Sequence, residues 1–405
     1  MQLQWVAYGI FLWNIFGAYH DVFSMQAVTI VPVADLVGKP LTIHTSLPSV
    51  WYNTLPFQAS DEVCPRIHQL IFNEMVTIVE EKEEEICVQV NNIFYEQANS
   101  TLKHDTYWTL KKNVIRLSEL KKKGIDVSII PSPLSYKKPL TAQQQNNIVT
   151  LKLPFHDPVT HTYFSVGTRF VIQSLHKNYV TVSLIHPEKI TPLTIEIPRE
   201  VIYMPSASCD RIRSQKDFVS LVTTWAHQGG CIPYVWGGIS FTTPCSDEPW
   251  QRVQLPSKHI VYQRPSCQNV SPKTGFDCTG LIARAAQICN IPYYYKNTNT
   301  LIKYLKVLDE HTSLSNGDLV WVPGHVLIIT DIHKGLFVEA RGYAHGFGKL
   351  QEIPFSKVFK DITSAQQLTD SFFKKKVLKR LDHTGQVVQS ILDFKILMLA
   401  SVWPS

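Results

Sequence analysis

The residues GFDCTGL at positions 275–281 decide how the second half of this chain folds. They lead into a run in which apolar residues recur on one face, so the pattern predicts a helix over residues 278–288. Cys278 then lies in the first turn, where the helix dipole and the free N–H groups favour a thiolate over a thiol. We therefore expect a Cys278 pKa below that of a free thiol, which makes this residue a candidate nucleophile. A buried structural cysteine is the alternative interpretation.

A cysteine nucleophile needs a base, and His325 is the candidate because GHV at 324–326 begins a predicted strand after a Pro-Gly turn. A third group must hold the imidazole in its working tautomer. Glu339 lies in FVEA at 337–340, on the return strand of the same predicted hairpin, so we expect it to reach His325. An ordinary histidine and an ordinary strand carboxylate stay open as alternatives, because strand register is not readable from the sequence.

The remaining chain divides by the kind of pattern that each stretch carries. Short alternating strands separated by turn residues fill residues 27–120 and 148–205, which predicts two small β-barrels. Residues 121–147 hold a lysine run, three prolines and the stretch QQQNN, which indicates a linker. Residues 210–355 combine the predicted helix with antiparallel strands, so the fold class is α+β. Residues 356–405 are expected to form a basic C-terminal extension.

Two further motifs complete a specific order along the chain: YVWGG at 234–238 precedes GFDCTGL, and GDLV at 317–320 precedes GHV. In this order the motifs resemble those of NlpC/P60 cysteine peptidases over residues 210–355, and the two β domains resemble bacterial SH3 (SH3b) modules. The resemblance implies two SH3b-like barrels followed by a papain-like domain, in which the helix bearing the nucleophile packs on an antiparallel sheet. This arrangement is similar to that of the γ-D-glutamyl-L-diamino-acid endopeptidases.

The resemblance also implies roles for individual residues. It makes Cys278 the nucleophile, His325 the base and then the acid, and Glu339 the orienting acceptor. It implies that substrate is bound around the thiolate by Tyr234, Trp236, Asp277 and Thr279. Three features depart from the family's pattern: Glu339 stands where His, Asn or Gln is usual, Thr279 replaces the usual Ser, and residues 239–274 are an insertion.

Residues 69–74, QLIFNE, resemble the segment of the first SH3b domain that carries an acidic residue in the muropeptide-specific branch of the family. There the acid receives the free amine of a terminal L-Ala, and Glu74 is the candidate here. A turn carboxylate beside the acidic run at 80–85 is the alternative.

The function implied is that of a bacterial cell-wall peptide hydrolase. It would cleave the γ-D-Glu–diamino acid bond through a Cys thioester and prefer muropeptides with a free N-terminal L-Ala. Two alternatives stay open: a peptidoglycan-binding SH3b protein with a degenerate peptidase domain, and an amidase or acyltransferase of the same fold. The expected partners are peptidoglycan peptides, bound by a monomer without a cofactor. No metal is expected, because Cys245, His259 and Cys267 lack structural zinc spacing.

Composition limits the other classes of function. The 39 Lys and Arg against 33 Asp and Glu give a net charge of +6 over 405 residues, so a nucleic-acid partner is not expected. With 44% hydrophobic and 18% charged residues, the chain is globular rather than disordered. Eight cysteines are too dilute for a disulfide scaffold, although a pair between Cys245 and Cys267 stays open.

The N-terminal residues 1–26 contain an apolar run from Trp5 to Tyr19. This run is shorter than the ~20 residues that span a bilayer, and its length suits the core of a signal peptide. A buried segment of the first domain is the alternative. We therefore expect the cell envelope, periplasmic or secreted, rather than the cytoplasm. No stable membrane insertion is expected apart from that possible signal peptide.

Overall fold

The computed structural model describes most of the chain after residue 24. The described residues are 25–43, 52–53, 55–57, 64–93, 95–96, 103–135, 146–204, 210–243, 246, 251–254, 260–263, 271–343 and 347–403. The expected signal peptide and the open pairing of Cys245 with Cys267 lie outside them. No helix within the described ranges is both long and apolar enough to cross a membrane.

The first unit is built on a seven-stranded antiparallel sheet of order β3-β2-β8-β5-β4-β1-β9, with β6 and β7 paired separately. Alternating apolar side chains of these strands, such as Leu36, Leu70 and Val88, point into one core. The helix α1 (Leu117–Lys122) follows the last strand. The strands are β1 (Gln26–Thr29), β2 (Val33–Val37), β3 (Arg66–Ile71), β4 (Met75–Lys82), β5 (Glu85–Gln89), β6 (Tyr95–Glu96), β7 (Lys103–His104), β8 (Thr106–Leu110) and β9 (Val114–Arg116).

The second unit is a five-stranded antiparallel sheet of order β15-β14-β13-β10-β16, beside the pair β11-β12. Phe72 of the first unit packs edge-on against Phe164 of this unit, with ring centroids 5.0 Å apart, so the two cores touch. The strands are β10 (Ile148–Leu151), β11 (Phe155–Asp157), β12 (Thr162–Phe164), β13 (Arg169–Leu175), β14 (Tyr179–Ile185), β15 (Pro192–Pro198) and β16 (Ile202–Tyr203).

The sheets of both units are open in the described residues. Strands β3 and β9 are the two edges of the first sheet, and β15 and β16 are the edges of the second. No closed barrel is found within the described ranges, so the expected SH3b-like barrels are not confirmed. The short strands themselves, and their antiparallel pairing, follow the predicted pattern.

The third unit packs helices against a five-stranded antiparallel sheet of order β24-β23-β22-β21-β28, so the structure is mixed α and β. The helices are α2 (Arg211–Ala226), α3 (Cys278–Ile288), α4 (Thr298–Tyr304), α5 (Phe355–Val358) and α6 (Ala365–Phe373). The strands are β17 (Ile239–Ser240), β18 (Gln251–Gln254), β19 (Ile260–Gln263), β20 (Gly275–Phe276), β21 (Leu319–Val322), β22 (His325–Asp331), β23 (Leu336–Arg341), β24 (Lys349–Pro354), β25 (Phe359–Lys360), β26 (Leu378–Leu381), β27 (Val387–Ile391) and β28 (Lys395–Leu397).

The helix α3 starts where the sequence predicts it, and all eleven of its residues are buried. Two features of GFDCTG fix the position of this helix. Asp277 caps the helix by accepting a hydrogen bond from the Gly280 N–H group, and Gly280 lies so close to the backbone that a Cβ there would be 1.9 Å from the Gly238 oxygen. The helix therefore contacts the YVWGG turn directly, which brings two of the motifs together.

Residues 356–403, expected to be a basic extension, contribute to the third unit. Strand β28 pairs with β21 through Leu319 opposite Leu397, and β25, β26 and β27 form a small sheet that shares its apolar core. The lysines at 374–376 are exposed, whereas Arg380 on β26 is buried. The segment thus carries its charge on one side and core residues on the other.

Candidate active site

Cys278 is the first residue of α3 and is 8% exposed. Burial, reinforced by the neighbouring Asp277 carboxylate, raises the pKa of its thiol to about 12. Hydrogen bonds from the backbone N–H groups of Val326 and Thr279 oppose this shift without reversing it. The expectation of a lowered pKa at this helix N-terminus is therefore wrong, because desolvation outweighs the local N–H groups. The resting side chain is a thiol.

His325 begins β22, next to the Val326 backbone that contacts Cys278. Its Nε2 atom lies 2.9 Å from Oε2 of Glu339, as expected for the two strands of one hairpin. A carboxylate accepts this bond from Nε2–H, so Nδ1 is the nitrogen that carries the lone pair. Burial and the nearby Arg380 lower the pKa of His325 to about 4, despite the opposing effect of Glu339. The imidazole is therefore neutral at pH 7 and able to accept a proton.

Glu339 is fully buried and has three further polar neighbours. Gln351 Nε2 donates to its Oε1 at 3.1 Å, and the guanidinium nitrogens of Arg380 and Arg341 lie 3.7 and 4.0 Å from its oxygens. Burial opposes the charge of Glu339, but His325 and the two arginines hold its pKa at about 2. The carboxylate is thus ionised and fixed in place. Sequence reasoning missed Arg380, because no motif links the C-terminal segment to this strand.

A cleft of about 720 Å³ opens beside Cys278. Residues of the first unit form one wall and the third unit forms the other. Four of the five predicted substrate-binding residues line it. The full set of lining residues is Gly38, Lys39, Leu41, Cys64, Pro65, Arg66, Ile67, Tyr234, Trp236, Gly237, Asp277, Cys278, Thr279, Lys296, Asn297, Thr298 and Gly324.

The wall from the first unit contacts the YVWGG turn through Arg66, which also forms a buried ion pair within its own unit. Arg66 Nε lies 2.7 Å from Asp35, and Arg66 Nη1 donates to the backbone oxygen of Trp236 at 3.2 Å. A Cβ on Gly237, whose φ is +72°, would be 2.7 Å from the Arg66 oxygen, which explains the glycine. Oε1 of Gln69 accepts a hydrogen bond from the Ser240 hydroxyl. Sequence analysis did not identify Asp35 or Arg66, because nothing near them in the chain marks a contact 170 residues away.

Glu74 is not among the residues that line the cleft. Its Oε1 lies 3.0 Å from Arg284 Nη1 on α3 and accepts a hydrogen bond from Asn92, while Oε2 accepts one from the Ile71 N–H group. Arg284 is 1% exposed. The structure therefore places Glu74 in an ion pair between the first unit and the helix of Cys278, apart from the other predicted site residues.

The described residues contain no group of three or more His, Cys, Asp or Glu side chains that could hold a metal ion. No protein-family model matches the sequence, and no curated protein matches it. Solved structures give matches at low sequence identity. A crystal structure of an NlpC/P60 family protein from Bacillus cereus ATCC 10987 is 14% identical, with a TM-score of 0.48, over 81% of this chain and 94% of that one. NlpC2 and NlpC1 from Trichomonas vaginalis are each 12% identical, with TM-scores of 0.30, over 82% of this chain and 92% and 88% of theirs.

Proposed function

We propose that this protein is a cysteine peptidase that hydrolyses cell-wall peptides at the γ-D-Glu–diamino acid bond. The observation that carries the chemistry is the 2.9 Å contact between His325 and Glu339 beside Cys278 at the start of a buried helix. These three side chains supply a nucleophile, a base and a group that orients the base. The cell-wall substrate is supported by the motif order around them, from YVWGG to FVEA.

In this mechanism Nδ1 of His325 takes the thiol proton as Sγ of Cys278 attacks the carbonyl carbon. Backbone N–H groups at the start of α3 stabilise the oxyanion of the tetrahedral intermediate. The imidazolium, stabilised by Glu339, gives its proton to the leaving amine, and the C–N bond breaks to leave a thioester. Water, deprotonated by His325, then attacks the thioester, which releases the carboxylic acid and restores the thiol.

The resting pair is neutral, and the gap between its two pKa values opposes transfer of the thiol proton before substrate binds. A thiol with a pKa of about 12 and an imidazole with a pKa of about 4 store no separated charge before substrate binds. Proton transfer then accompanies attack on the carbonyl rather than preceding it. A preference for a free N-terminal L-Ala is not part of the proposal, since the Glu74 carboxylate expected to bind that amine is paired with Arg284.

The test is incubation with L-Ala-γ-D-Glu-diaminopimelate, followed by mass spectrometry for L-Ala-D-Glu. Wild-type protein should release the dipeptide, and Cys278→Ala should release none while keeping its folded circular dichroism spectrum. Cys289→Ala, which changes another buried cysteine of the same core, is the matched control and should retain activity. A folded wild-type protein that leaves the peptide intact would contradict the proposal.

The same peptide also tests the binding-protein alternative. The raised pKa and the 8% exposure of Cys278 favour this alternative. A degenerate peptidase domain would bind the peptide without cleaving it, which isothermal titration calorimetry detects. An acyltransferase would instead transfer the acyl group to an added amine, and a mass increase equal to that amine identifies the transfer.

A further inference from the structure

The small sheet formed by β25, β26 and β27 turns one face to the core and the other to solvent. Leu378 and Arg380 of β26 and Ile391 of β27 are buried. Because side chains alternate along a strand, Lys379 and Ser390, which pair across these strands, lie on the outer face, and both are exposed. The inner face belongs to the apolar core of the third unit, so the outer face is a rigid surface.

Three exposed lysines from separate segments meet on this outer face. Lys360 of β25 lies directly opposite Lys379 of β26, and Lys376 joins them in lining a cavity of about 330 Å³. Like charges that face each other across two strands destabilise the pairing. No ion pair links any of the three lysines to a carboxylate in the described part of the chain. The face therefore carries positive charge at a cost to stability.

The acidic residues nearby do not balance this charge. Two of them line the same cavity: Asp370 is already paired with Lys374 at 3.1 Å, and Asp361 leaves two of the three lysine charges in excess. Residues 357–405 hold eight Lys and Arg against four Asp, so +4 of the net charge of +6 lies in this segment. The complementary partner of the face is anionic.

Exposed apolar side chains share the face with the lysines. The register of β26 and β27, continued by one residue, brings Val377 opposite Leu392. Each lies two residues from a member of the Lys379–Ser390 pair and therefore on the same side of the sheet. Val377 is 48% exposed and Leu392 is 66% exposed. Apolar side chains held in water among charged ones are typical of an interaction surface.

We propose that this outer face docks the protein peripherally on an anionic phospholipid surface. A lipid interface accommodates both kinds of side chain, because lysines meet the charged headgroups while apolar side chains enter the boundary of the acyl chains. A dissolved polyanion would bind the lysines but leave Val377 and Leu392 in water. The apolar pair therefore favours a membrane over a soluble polymer. This inference does not depend on the proposed peptidase activity.

The first test measures how the full-length protein sediments with vesicles at low ionic strength. Wild-type protein should bind vesicles of equimolar phosphatidylcholine and phosphatidylglycerol, but not vesicles of phosphatidylcholine alone. Each lysine near an anionic leaflet changes binding by about fivefold, so Lys360→Gln/Lys376→Gln/Lys379→Gln should weaken it about 100-fold. This variant should unfold at the same or a higher urea concentration than wild type, since it separates no favourable pair and removes facing like charges.

The matched control removes the same charge from the first unit. Lys112→Gln/Lys122→Gln/Lys123→Gln changes three exposed lysines away from the small sheet and should alter vesicle binding by less than about twofold. An equal loss in both triple variants would show that net charge, not this face, attracts the protein, and would overturn the proposal. So would a wild-type protein that does not bind the anionic vesicles.

The second test separates a lipid surface from a soluble polyanion. Val377→Ser/Leu392→Ser keeps the charge and should weaken binding to the anionic vesicles about tenfold, while retention on immobilised polyphosphate stays the same. Val159→Ser/Leu175→Ser is the control, because these residues of the second unit are 60% and 52% exposed, and it should change neither readout. If the lysine variant loses retention on polyphosphate and the Val377→Ser/Leu392→Ser variant binds vesicles as wild type does, the face binds soluble polyanions and the membrane proposal is overturned.

Discussion

The Cys278 thiol and the His325 imidazole are both neutral at pH 7. The protonation of the thiol predicts how the reactivity of Cys278 depends on pH. Burial raises the pKa of the Cys278 thiol to about 12, so its thiolate fraction grows with pH throughout the working range. Labelling of Cys278 by iodoacetamide should therefore rise about tenfold per pH unit from pH 6 to 9. Residue-resolved mass spectrometry measures it. A plateau that begins below pH 7 would indicate a thiolate–imidazolium pair and contradict this reading of the site.

His325 should make the folded protein sensitive to acid. Burial lowers its folded-state pKa to about 4 from the usual 6.5 of histidine, so between these two values the unfolded chain binds more protons than the folded one. Stability is therefore complete above pH 6.5 and is lost as pH falls towards 4, by about 3 kcal/mol for this residue. Urea unfolding at several pH values measures the slope. His325→Gln should flatten it, whereas His333→Gln, an exposed histidine of the same hairpin, should not.

At the scale of elements, β26 brings Arg380 to the site from a segment far along the chain. Arg380 lies 3.7 Å from Glu339 and, after burial, is the main group that lowers the pKa of His325. Arg380→Gln should therefore raise that pKa and move the acidic limb of kcat/KM to higher pH. Lys379→Gln, the exposed neighbour on the same strand, is the control and should leave the limb in place. An acidic limb that does not move in Arg380→Gln would show that the arginine acts on structure alone.

The start of α3 yields a prediction about stability. Since a Cβ at residue 280 would lie 1.9 Å from the Gly238 oxygen, Gly280→Ala must push the helix away from the YVWGG turn. We expect a loss of about 1–3 kcal/mol in the free energy of unfolding, the usual cost of overpacking. Ala283→Gly, in the same helix, should cost about 1 kcal/mol from helix propensity and roughly a further 1 kcal/mol from the buried methyl group that it removes. Chemical denaturation measures the free energy of unfolding of both variants. A Gly280→Ala protein as stable as wild type would contradict the close contact between α3 and the YVWGG turn.

At the scale of elements, the sequence predicts those helices and strands that local patterns determine. The helix after Cys278 and the hairpin holding His325 and Glu339 follow from apolar periodicity and turn residues. The expected direction of the Cys278 pKa shift is wrong because burial is a result of tertiary packing, which the local pattern around the helix start does not show. Arg380 was missed for a similar reason: a lysine-rich stretch indicates a solvated surface, and only strand pairing shows that this one side chain points inward.

For the whole molecule, the ion pair between Glu74 and Arg284 joins the first unit to the helix of Cys278. Glu74→Gln leaves a buried guanidinium without its carboxylate, which should lower the free energy of unfolding by about 3 kcal/mol. The double variant Glu74→Gln/Arg284→Met removes both charges and should recover much of that loss. Thermal and urea unfolding measure both. If Glu74→Gln is as stable as wild type but stops distinguishing free from acetylated L-Ala, the residue binds the substrate amine after all.

The contacts between units explain why the sequence predicts the strands of the first domain but not the contacts that this domain makes with the third unit. Short alternating strands are a local signal, so most of them are found where they were predicted. The partner of Glu74 on α3, in contrast, lies 210 positions away in the chain. The same is true of Arg66 and Trp236, which together shape the cleft. Long-range pairings of this kind leave no periodic trace in a single sequence.

The position of β28 and Arg380 has a consequence for biosynthesis. A ribosome makes the chain from its N-terminus, so the strand that pairs with β21 and the arginine beside Glu339 emerge after every other described part of the site. A nascent chain that already contains Cys278 and His325 still lacks a strand of their sheet. The surroundings of Cys278 are therefore complete only after translation has passed Leu397.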